Sequence, residues 1–559
     1  MKGVFRFLGN PPLRRITAYI KKPASVRLQL RKTTPVLEIG RVLSERGHTI
    51  EFATLDGQEH WIKGYEFITT VHLLGPGPTE EQLDAHYRQS QKWDMSQSLG
   101  GQMGSKYLFD SFWPQTYRRL KEIMDNPSTR PSMMVADVFA DAVKDIHVEY
   151  DFPIAMVGPT FPYLMMPCSY IPGEPGFQLE GTLTSEHASM WLRIKNELVI
   201  VSGLPAILKW ILWTKRMRRR DGVYRPPHLP KKPDYLVFVN TFFGMEIPRD
   251  VPPLCAVVGP LLGDTYPPLD ADCLRFLSQH KKVIYIALGT HIILPNQDVT
   301  KIVYGLLRLF EDGLIDGVIW AVGESGRQDL DPNQEFKTSK GTLKLQDLLN
   351  GNHPDWLFSY FAPQRAILDH ASTKLYFTHG GGSSANEGAF HGKCMLSMGF
   401  FFDQVSNTTR LVAAGVAESL NKFQFTPGEL YTKAKLILED KQGTYHRNAL
   451  RLMRIARVGA RRKYHAADLV EEVLYDDELR HIDGKVLLPM HLQTADMRMP
   501  AFKAKNWDLM AISAVALTSF AGLAGFAGRL LWTHRAFVTR PIQPFLATQG
   551  WFNSMLGRS

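Results

Sequence analysis

At 559 residues, the chain is too long to bury one hydrophobic core, so we expect two lobes plus additional segments. A hydrophobic content of 44% with 21% charged residues is typical of globular proteins and argues against global disorder. The four cysteines show no CxxC spacing, which argues against a zinc ribbon or a disulfide framework. The net charge of +10 accompanies no nucleic-acid-binding motif, so we expect no nucleic acid as a partner.

The N-terminal residues 1–33 form an atypical basic segment. The first 37 residues carry nine Lys and Arg, and the first acid of the chain is Glu38. The opening sequence, MKGVFRFLGN, lacks the apolar core of a signal peptide. We therefore separate this segment from the lobe that follows it.

Residues 34–233 show the first alternation of helices and strands. VLEIGRVLSERG predicts a helix with Val36, Ile39 and Leu43 on one face, and the strand TIEFAT follows it. MMVAD predicts a strand that ends at Asp137, and a helix and the strand PIAMVG come next. Alternating strands and helices predict an α/β lobe with a parallel, doubly wound sheet.

An apolar stretch, LVIVSGLPAILKWILW, covers residues 198–213 and is followed by the basic run KRMRRR. Pro205 and Lys209 make it a poor membrane span. An amphipathic helix on a membrane surface and an ordinary core helix are equally compatible with it. The proline-rich run RPPHLPKKPDY then predicts an extended linker.

Residues 234–480 predict a second lobe of the same type. VIYIALG predicts a buried strand, and the helix after it carries an apolar stripe from Val299 to Phe310. The strands GVIWAVG and LYFT follow. Two tandem Rossmann-like lobes leave a cleft between the carboxyl ends of their strands, where such sheets bind ligands.

The stretch FTHGGGSSANEG follows the strand LYFT and opens a helix. A strand, a glycine turn and a helix start together direct backbone N–H groups at an anion. His379, Ser383 and Ser384 add donors, which indicates a phosphate site, although a structural turn with the same residues is the alternative. Glu387 can accept ribose hydroxyls. Asp403 and Gln404 follow the next strand, MLSM, and can bind several sugar hydroxyls.

An uncharged run of twenty residues, LMAISAVALTSFAGLAGFAG, covers 509–528 and is long enough to span a bilayer as a helix. Trp507 and Trp532 flank it at the positions of interfacial aromatic residues. A buried core helix is the alternative. We predict a transmembrane helix over 507–532 between a connecting segment, 481–506, and a basic tail, 533–559. Basic residues on both sides leave the orientation open.

The segment from Phe361 to Leu411 resembles the signature segment of the UDP-glycosyltransferases. It keeps the order aromatic-x-Pro-Gln, Leu-x-His, Phe-x-Thr-His-x-Gly, Ser-x-x-Glu, Gly-x-x-Met and Asp-Gln-x-x-Asn. The motifs TPVLEIGRVLSERGHTIEFAT and VADVFADA, and the C-terminal span, are similar to membrane-anchored, fungal-type members. This resemblance implies a two-lobed fold of the GT-B type, with UDP-sugar on the second lobe and acceptor on the first.

The resemblance also implies roles for individual donor-binding residues. Phe361 would stack on uracil, Gln364 would lie beside the base, and Glu387 would bind ribose. His379 and Ser384, with Thr290 after the strand VIYIALG, would hold the diphosphate. Asp403 and Gln404 would bind the sugar. The complete implied donor set is Thr290, Phe361, Gln364, His379, Gly381, Ser383, Ser384, Glu387, Asp403 and Gln404.

The catalytic base departs from the family pattern. The family places a histidine three residues before the proline of the first helix, steadied by an aspartate that corresponds to Asp137. Lys32 occupies the histidine position, and a lysine of ordinary pKa is charged and a poor base. Either residues before Thr34 replace the first strand of a working enzyme, or the chain binds UDP-sugar without turnover.

The expected reaction is inverting transfer of a hexose from a UDP-sugar to a hydroxyl of a small lipophilic acceptor, without metal or cofactor. UDP-glucose is the expected donor, and no residue excludes UDP-glucuronate. A non-catalytic nucleotide-sugar-binding membrane protein is the alternative, and a sugar-nucleotide epimerase is a third reading. The resemblance implies a single-pass membrane protein of the endoplasmic reticulum.

Overall fold

The computed structural model of the protein describes residues 15–19, 30–94, 100–162, 184, 186, 188–228, 232–289, 292–338, 341–482, 485–486 and 491–534. The chain divides into two compact units, Met1–Leu492 and Gln493–Ser559. Two large parallel sheets belong to the first unit, and a long apolar helix belongs to the second.

The strands are β1 Arg15–Tyr19, β2 Thr49–Thr54, β3 Ile68–Leu73, β4 Met133–Asp137, β5 Ile154–Gly158, β6 Leu236–Val239, β7 Cys255–Val257, β8 Val283–Ala287, β9 Gly317–Ala321, β10 Glu335–Thr338, β11 Gly341–Lys344, β12 Trp356–Ser359, β13 Thr373–Thr378, β14 Met395–Ser397, β15 Ala417–Ser419, β16 His481–Ile482 and β17 Lys485–Val486. The helices are α1 Leu30–Glu45, α2 Glu80–Gln91, α3 Gly100–Ser111, α4 Trp113–Asp125, α5 Asp141–Tyr150, α6 Met190–Arg219, α7 Ala271–Gln279, α8 Asn296–Glu311, α9 Glu324–Gln328, α10 Leu345–Leu349, α11 Gln364–Asp369, α12 Gly382–Phe390, α13 Asp403–Ala413, α14 Pro427–Glu439, α15 Thr444–Gly459, α16 Arg462–Arg480, α17 Ala501–Ala504 and α18 Trp507–Thr533.

The first sheet has seven strands in the order β3-β2-β1-β4-β5-β6-β7, and every pair is parallel. Strand β1, which lies in the interior of this sheet between β2 and β4, comes from the N-terminal segment that we predicted to lie outside the lobe. The boundary predicted at residue 33 is therefore wrong. RITAY is a five-residue strand that begins at the second of two arginines. Interior strands of parallel sheets usually read as continuous apolar runs, whereas Ile16 and Ala18 alternate here with polar residues.

The boundary predicted at residue 234 is also wrong for the first sheet. Strand β6 pairs in parallel with β5, and β7 pairs with β6, so the first sheet continues to Val257. Chain from beyond the second sheet also returns to the first lobe. Lys463 of α16 places its Nζ 3.2 Å from Glu38 of α1 and 2.7 Å from Asp264. Sequence alternation identifies strands, whereas sheet membership depends on pairing partners distant in the chain.

The second sheet has six parallel strands in the order β12-β9-β8-β13-β14-β15. The predicted strands VIYIALG, GVIWAVG, LYFT and MLSM correspond to β8, β9, β13 and β14. The α/β fold with two parallel sheets is thus confirmed. Helix α2 of the first lobe inserts Leu83 and Tyr87 into the core of the second sheet, and Tyr87 stacks on Phe401 with ring centroids 5.9 Å apart.

Two long helices account for the apolar stretches of the sequence. Helix α6 contains residues 198–213, and its 30 residues extend beyond that stretch in both directions. Helix α18 corresponds to the span predicted over 507–532. Among the described residues, it alone is long and apolar enough to cross a membrane, by length and composition. Residues 535–559, most of the predicted basic tail, lie outside the described residues.

Candidate active site

The glycine turn joins β13 to α12 and requires glycine for two different reasons. Gly380 has a φ of 73°, a left-handed conformation that side chains with a Cβ rarely adopt. A Cβ there would lie 2.6 Å from Thr408 Oγ1 and 2.8 Å from the Gln404 carbonyl oxygen. Gly381 has an extended backbone, yet its Cβ would lie 2.4 Å from His379 Nε2. Close packing against α13 and His379 therefore selects the glycines.

Asp403 lies at the start of α13, opposite the start of α12. Its Oδ2 accepts a hydrogen bond from the Gly382 amide at 2.8 Å and another from Asn407 Nδ2 at 3.0 Å. The first amide of α12 thus already faces a carboxylate, as the positive end of a helix dipole favours. The contact joins the anion-binding turn predicted from sequence to the predicted sugar-binding carboxylate.

Gln404 is fixed by the loop that precedes it. Its Oε1 accepts hydrogen bonds from the amides of Phe400 and Phe401 at 3.1 and 3.3 Å. Because the oxygen is held, the amide nitrogen, which can only donate, has a defined direction. Phe402, between this loop and Asp403, has a φ of 53°, a strained conformation for a residue with a side chain. Nothing in the sequence FFFDQ signals that strain.

Gln364 and Glu387 form a buried pair at the start of α11 and within α12. Gln364 Nε2 donates to Glu387 Oε2 at 2.7 Å, and Tyr285 of β8 donates its hydroxyl to Gln364 Oε1 at 3.3 Å. Both members of the pair are buried, whereas Phe361, three residues before Gln364, is 42% exposed. The structure therefore brings these three predicted residues to one region, with an accessible aromatic ring beside a buried carboxylate.

Asp137 is the last residue of β4 in the first sheet. Its Oδ1 accepts a hydrogen bond from the Phe139 amide at 3.1 Å. Asp137 pairs in register with Val157 of β5, and Pro159, just beyond β5, packs on the turn. A Cβ on Gly382 would lie only 3.2 Å from Pro159 Cβ. The segments that follow β5 and β13 therefore lie in contact, so the carboxyl ends of these two strands are close together.

Sequence reasoning missed a second set of contacts between the lobes. Asn386 of α12 donates its Nδ2 to the carbonyl of Asn240, just beyond β6, at 2.9 Å. Arg410 of α13 donates to Asn407 Oδ1 at 3.1 Å and lies 3.1 Å from Glu246 Oε1. A chain of contacts thus leads from Glu246 through Arg410 and Asn407 to Asp403. The motif Asp-Gln-x-x-Asn contains Asn407, but the sequence shows no role for it.

Glu246 and Arg410, the two charged residues at the far end of this chain of contacts, are buried. Burial raises the pKa of the Glu246 carboxyl, and the charge of Arg249 partly offsets that rise. Burial lowers the pKa of the Arg410 guanidinium. Arg410 Nε and Glu246 Oε1 are 3.1 Å apart, a distance at which opposite charges attract each other. Arg410 donates to Asn407, and Asn407 donates to Asp403, so the buried pair helps to hold both side chains in place.

Two predicted positions, Thr290 and Lys32, have side chains that lie outside the described part of the structure. Thr290 lies outside the described residues, although Gly289 before it has a φ of 85° and packs on His379. Lys32 lies in the first turn of α1, which begins at Leu30, and its side chain is outside the described part of the structure. His379, Ser383 and Ser384 all lie at the turn and the first residues of α12.

The arrangement combines a helix N-terminus with serine donors, two carboxylates and an exposed aromatic ring. Such a set suits a ligand with phosphates, several hydroxyls and a flat ring. Within the described ranges, no group of three or more His, Cys, Asp and Glu side chains is arranged to hold a metal ion.

The chain is similar to known proteins over most of its length. The profile of the family described as UDP-glucoronosyl and UDP-glucosyl transferase matches residues 230–460. A UDP-glycosyltransferase of Talaromyces amestolkiae is 44% identical over 85% of this chain and 90% of its own length. UDP-glycosyltransferase FPY2 of Fusarium mangiferae is 41% identical over 85% of this chain and 92% of its own.

The fold has solved counterparts as well. The crystal structure of the glycotransferase of kitacinnamycin matches 83% of this chain and 100% of its own with a TM-score of 0.57 and 17% identity. That likeness concerns the two-lobed GT-B architecture alone. The identity to fungal relatives, across both lobes, establishes that the chain belongs to the UDP-glycosyltransferase family.

Proposed function

We propose that the protein transfers a hexose, glucose, from UDP-glucose to a hydroxyl of a small lipophilic acceptor with inversion at the anomeric carbon. One observation carries the proposal. The carboxylate of Asp403 accepts from the first amide of α12, so a group suited to sugar hydroxyls lies directly beside a turn suited to phosphate.

The donor would lie along the edge of the second sheet. Phe361 would stack on uracil, because its ring is 42% exposed beside the buried Gln364–Glu387 pair. Glu387 would accept the ribose hydroxyls. His379, Ser383 and Ser384, with Gly381 and Thr290, would hold the diphosphate, and Asp403 and Gln404 would bind the glucose.

Transfer requires a base on the first lobe. The acceptor oxygen attacks the anomeric carbon, the bond from that carbon to the UDP oxygen breaks, and the hydroxyl proton passes to the base. In our proposal, Asp137 steadies the base from the end of β4. Position 32 would supply the base, and Lys32 fills that role poorly while it is charged.

Membrane attachment would be provided by α18. Its length and apolar composition suit a single span. Attachment would place the acceptor site near compounds dissolved in lipid, which supports a lipophilic acceptor. The endoplasmic reticulum remains a prediction that rests on the resemblance alone.

A second candidate function follows from Lys32. A chain with an intact donor site and no base would bind UDP-glucose without transferring it. The donor contacts described above suit this binding role equally well, so turnover alone separates the two candidates.

The test is transfer by the purified full chain in lipid nanodiscs. UDP-glucose and, separately, UDP-glucuronate are supplied with a panel of lipophilic phenols and alcohols, and products are identified by mass spectrometry. We expect glucosides whose formation is lost in Asp403→Ala and retained in Asp347→Ala, a change elsewhere on the second lobe. Binding of UDP-glucose with no product from any acceptor would favour the second candidate. A product formed without acceptor would indicate epimerisation and contradict both.

A further inference from the structure

Helix α6 carries an exposed apolar stripe along one face. The members recur every three or four residues, which places them on one side of an α-helix. From first to last, the stripe is about 32 Å long at a rise of 1.5 Å per residue. Each member is between 41% and 61% exposed: Trp191, Ile194, Leu198, Val201, Leu204, Leu208 and Leu212.

The opposite face of α6 is fixed to the first lobe by buried polar contacts. Trp210 Nε1 donates to Asp110 Oδ2 at 2.8 Å. Arg218, 1% exposed, pairs with Asp145, which also accepts from Trp113 Nε1 at 2.8 Å. At about 100° per residue, Trp210 lies roughly 160° around the helix from Leu208 and Leu212, and Arg218 lies roughly 80° to 120° from them. Because these contacts fix the rotation of α6, the stripe faces outward as part of the fold.

Basic residues border the stripe at its C-terminal end. Lys209, Arg216 and Arg219 are exposed there, and Arg220 follows the helix. The only acid in the helix sequence is Glu197. An apolar face with lysine and arginine beside it matches the two layers of an anionic membrane surface, acyl chains and headgroups.

A second copy of the chain fits this surface less well. Two packed stripes would bring basic residues together in either orientation, because Arg193 and Lys195 lie at the N-terminal end of the stripe and Arg216 and Arg219 at its C-terminal end. A soluble monomer rarely leaves an apolar patch of this length in water. The chain also carries α18, which provides an independent reason for contact with lipid.

We propose that α6 lies in the interface of an anionic membrane, with the stripe among the acyl chains and the basic end on the headgroups. This contact is separate from the span of α18 and from donor binding. It assigns the face of α6 that the sequence alone left undecided between core and membrane surface.

The test is photocross-linking of the full chain in vesicles of phosphatidylcholine and phosphatidylglycerol that contain a photoactivatable phosphatidylglycerol. Labelled peptides are mapped by mass spectrometry. Labelling of α18 tests the span, and labelling of α6 tests the stripe, so the two proposals can fail separately. We expect labelled peptides from residues 191–212 whose yield falls when phosphatidylglycerol is replaced by phosphatidylcholine carrying the same photoactivatable group.

The matched variants are Leu204→Glu with Leu208→Glu on the stripe, and Leu274→Glu with Leu436→Glu on other helices. All four leucines are about half exposed, at 44% to 55%, so the folded state tolerates a charge at each. The stripe variant should lower α6 labelling roughly tenfold or more, because charges are unfavourable among acyl chains, and the control variant should not. UDP binding should be unchanged in both.

Three outcomes would overturn the proposal. The first is labelling of α18 without α6, and the second is equal labelling of α6 in the stripe and control variants. The third is a self-associated protein that the stripe variant converts to monomer while α6 of the parent remains unlabelled, which would assign the stripe to a second copy.

Discussion

The two parallel sheets have carboxyl ends that lie close together, at β5 and β13, but they differ in how many of the residues required by the proposed reaction follow their strands. At the second sheet, the predicted Gln364, Glu387 and Asp403 all make specific contacts beside the glycine turn. At the first sheet, Asp137 is in place at the end of β4, whereas position 32 holds lysine. In the proposed function, donor binding belongs to the second lobe and proton removal to the first, so one would be impaired while the other is intact.

The largest expected effect comes from giving the first lobe the histidine base that it lacks. Lys32→His should raise the rate of glucosyl transfer by roughly 10² to 10⁴-fold, the usual contribution of a general base. The rate should fall as the pH drops below about 6.5, because the base must be the neutral imidazole. Turnover with UDP-glucose, measured by UDP release, checks the change. Lys32→Gln is the control, and equal rates in both variants would place the base elsewhere.

A second prediction concerns the turn that the second lobe depends on. Gly380→Ala should destabilise the fold by roughly 2–4 kcal/mol, because it combines a left-handed backbone with a Cβ against Thr408 and Gln404. Gly351→Ala is the control: its φ is 74°, yet nothing lies within 4 Å of the added Cβ. That variant should cost only about 1–2 kcal/mol. Urea unfolding measures both, and equal losses would show that packing at the turn is unimportant.

The substitution Asp403→Asn distinguishes binding of the sugar from binding of the nucleotide. We expect roughly tenfold weaker binding of UDP-glucose, because a charge-assisted hydrogen bond contributes about 1.5–3 kcal/mol. Binding of UDP should change little, since asparagine retains an oxygen for the Gly382 amide. Competition binding with both ligands provides the measurement. An equal loss for UDP and UDP-glucose would remove Asp403 from the sugar site.

The smallest effect is expected at the contact between the lobes. Asn386→Ala removes the hydrogen bond to the Asn240 carbonyl and should cost about 1–2 kcal/mol, because that buried acceptor loses its donor. Asn352→Ala, at an exposed position, should change stability by less than about 0.5 kcal/mol. Denaturant titration of the two variants compares them. No difference would mean that water replaces the lost donor.

Much of the second lobe was predictable because each of its signals is local. The apolar runs of β8 and β13 identify strands, and the glycines identify the turn. The first lobe was less predictable, because the placement of β1 in the interior of the sheet depends on parallel pairing with β2 and β4, whose residues are far away in the chain.

The candidate site residues show the same difference between local signals and contacts with distant residues. Their positions could be read from motifs, but their partners could not. The contacts of Asp403 with Gly382 and of Arg410 with Glu246 depend on the tertiary fold. The strained backbone of Phe402 likewise has no signature in the residue type.

Binding of UDP-glucose to the intact chain tests the central claim most directly, because both candidate functions require it. Isothermal calorimetry of the parent and of Glu387→Gln, with Glu335→Gln on the exposed β10 as control, is the measurement. We predict micromolar binding for the parent and control, and roughly 10- to 100-fold weaker binding for Glu387→Gln, which loses the charge that in our proposal accepts the ribose hydroxyls. Undiminished affinity in Glu387→Gln, or no binding by the parent, would contradict the account.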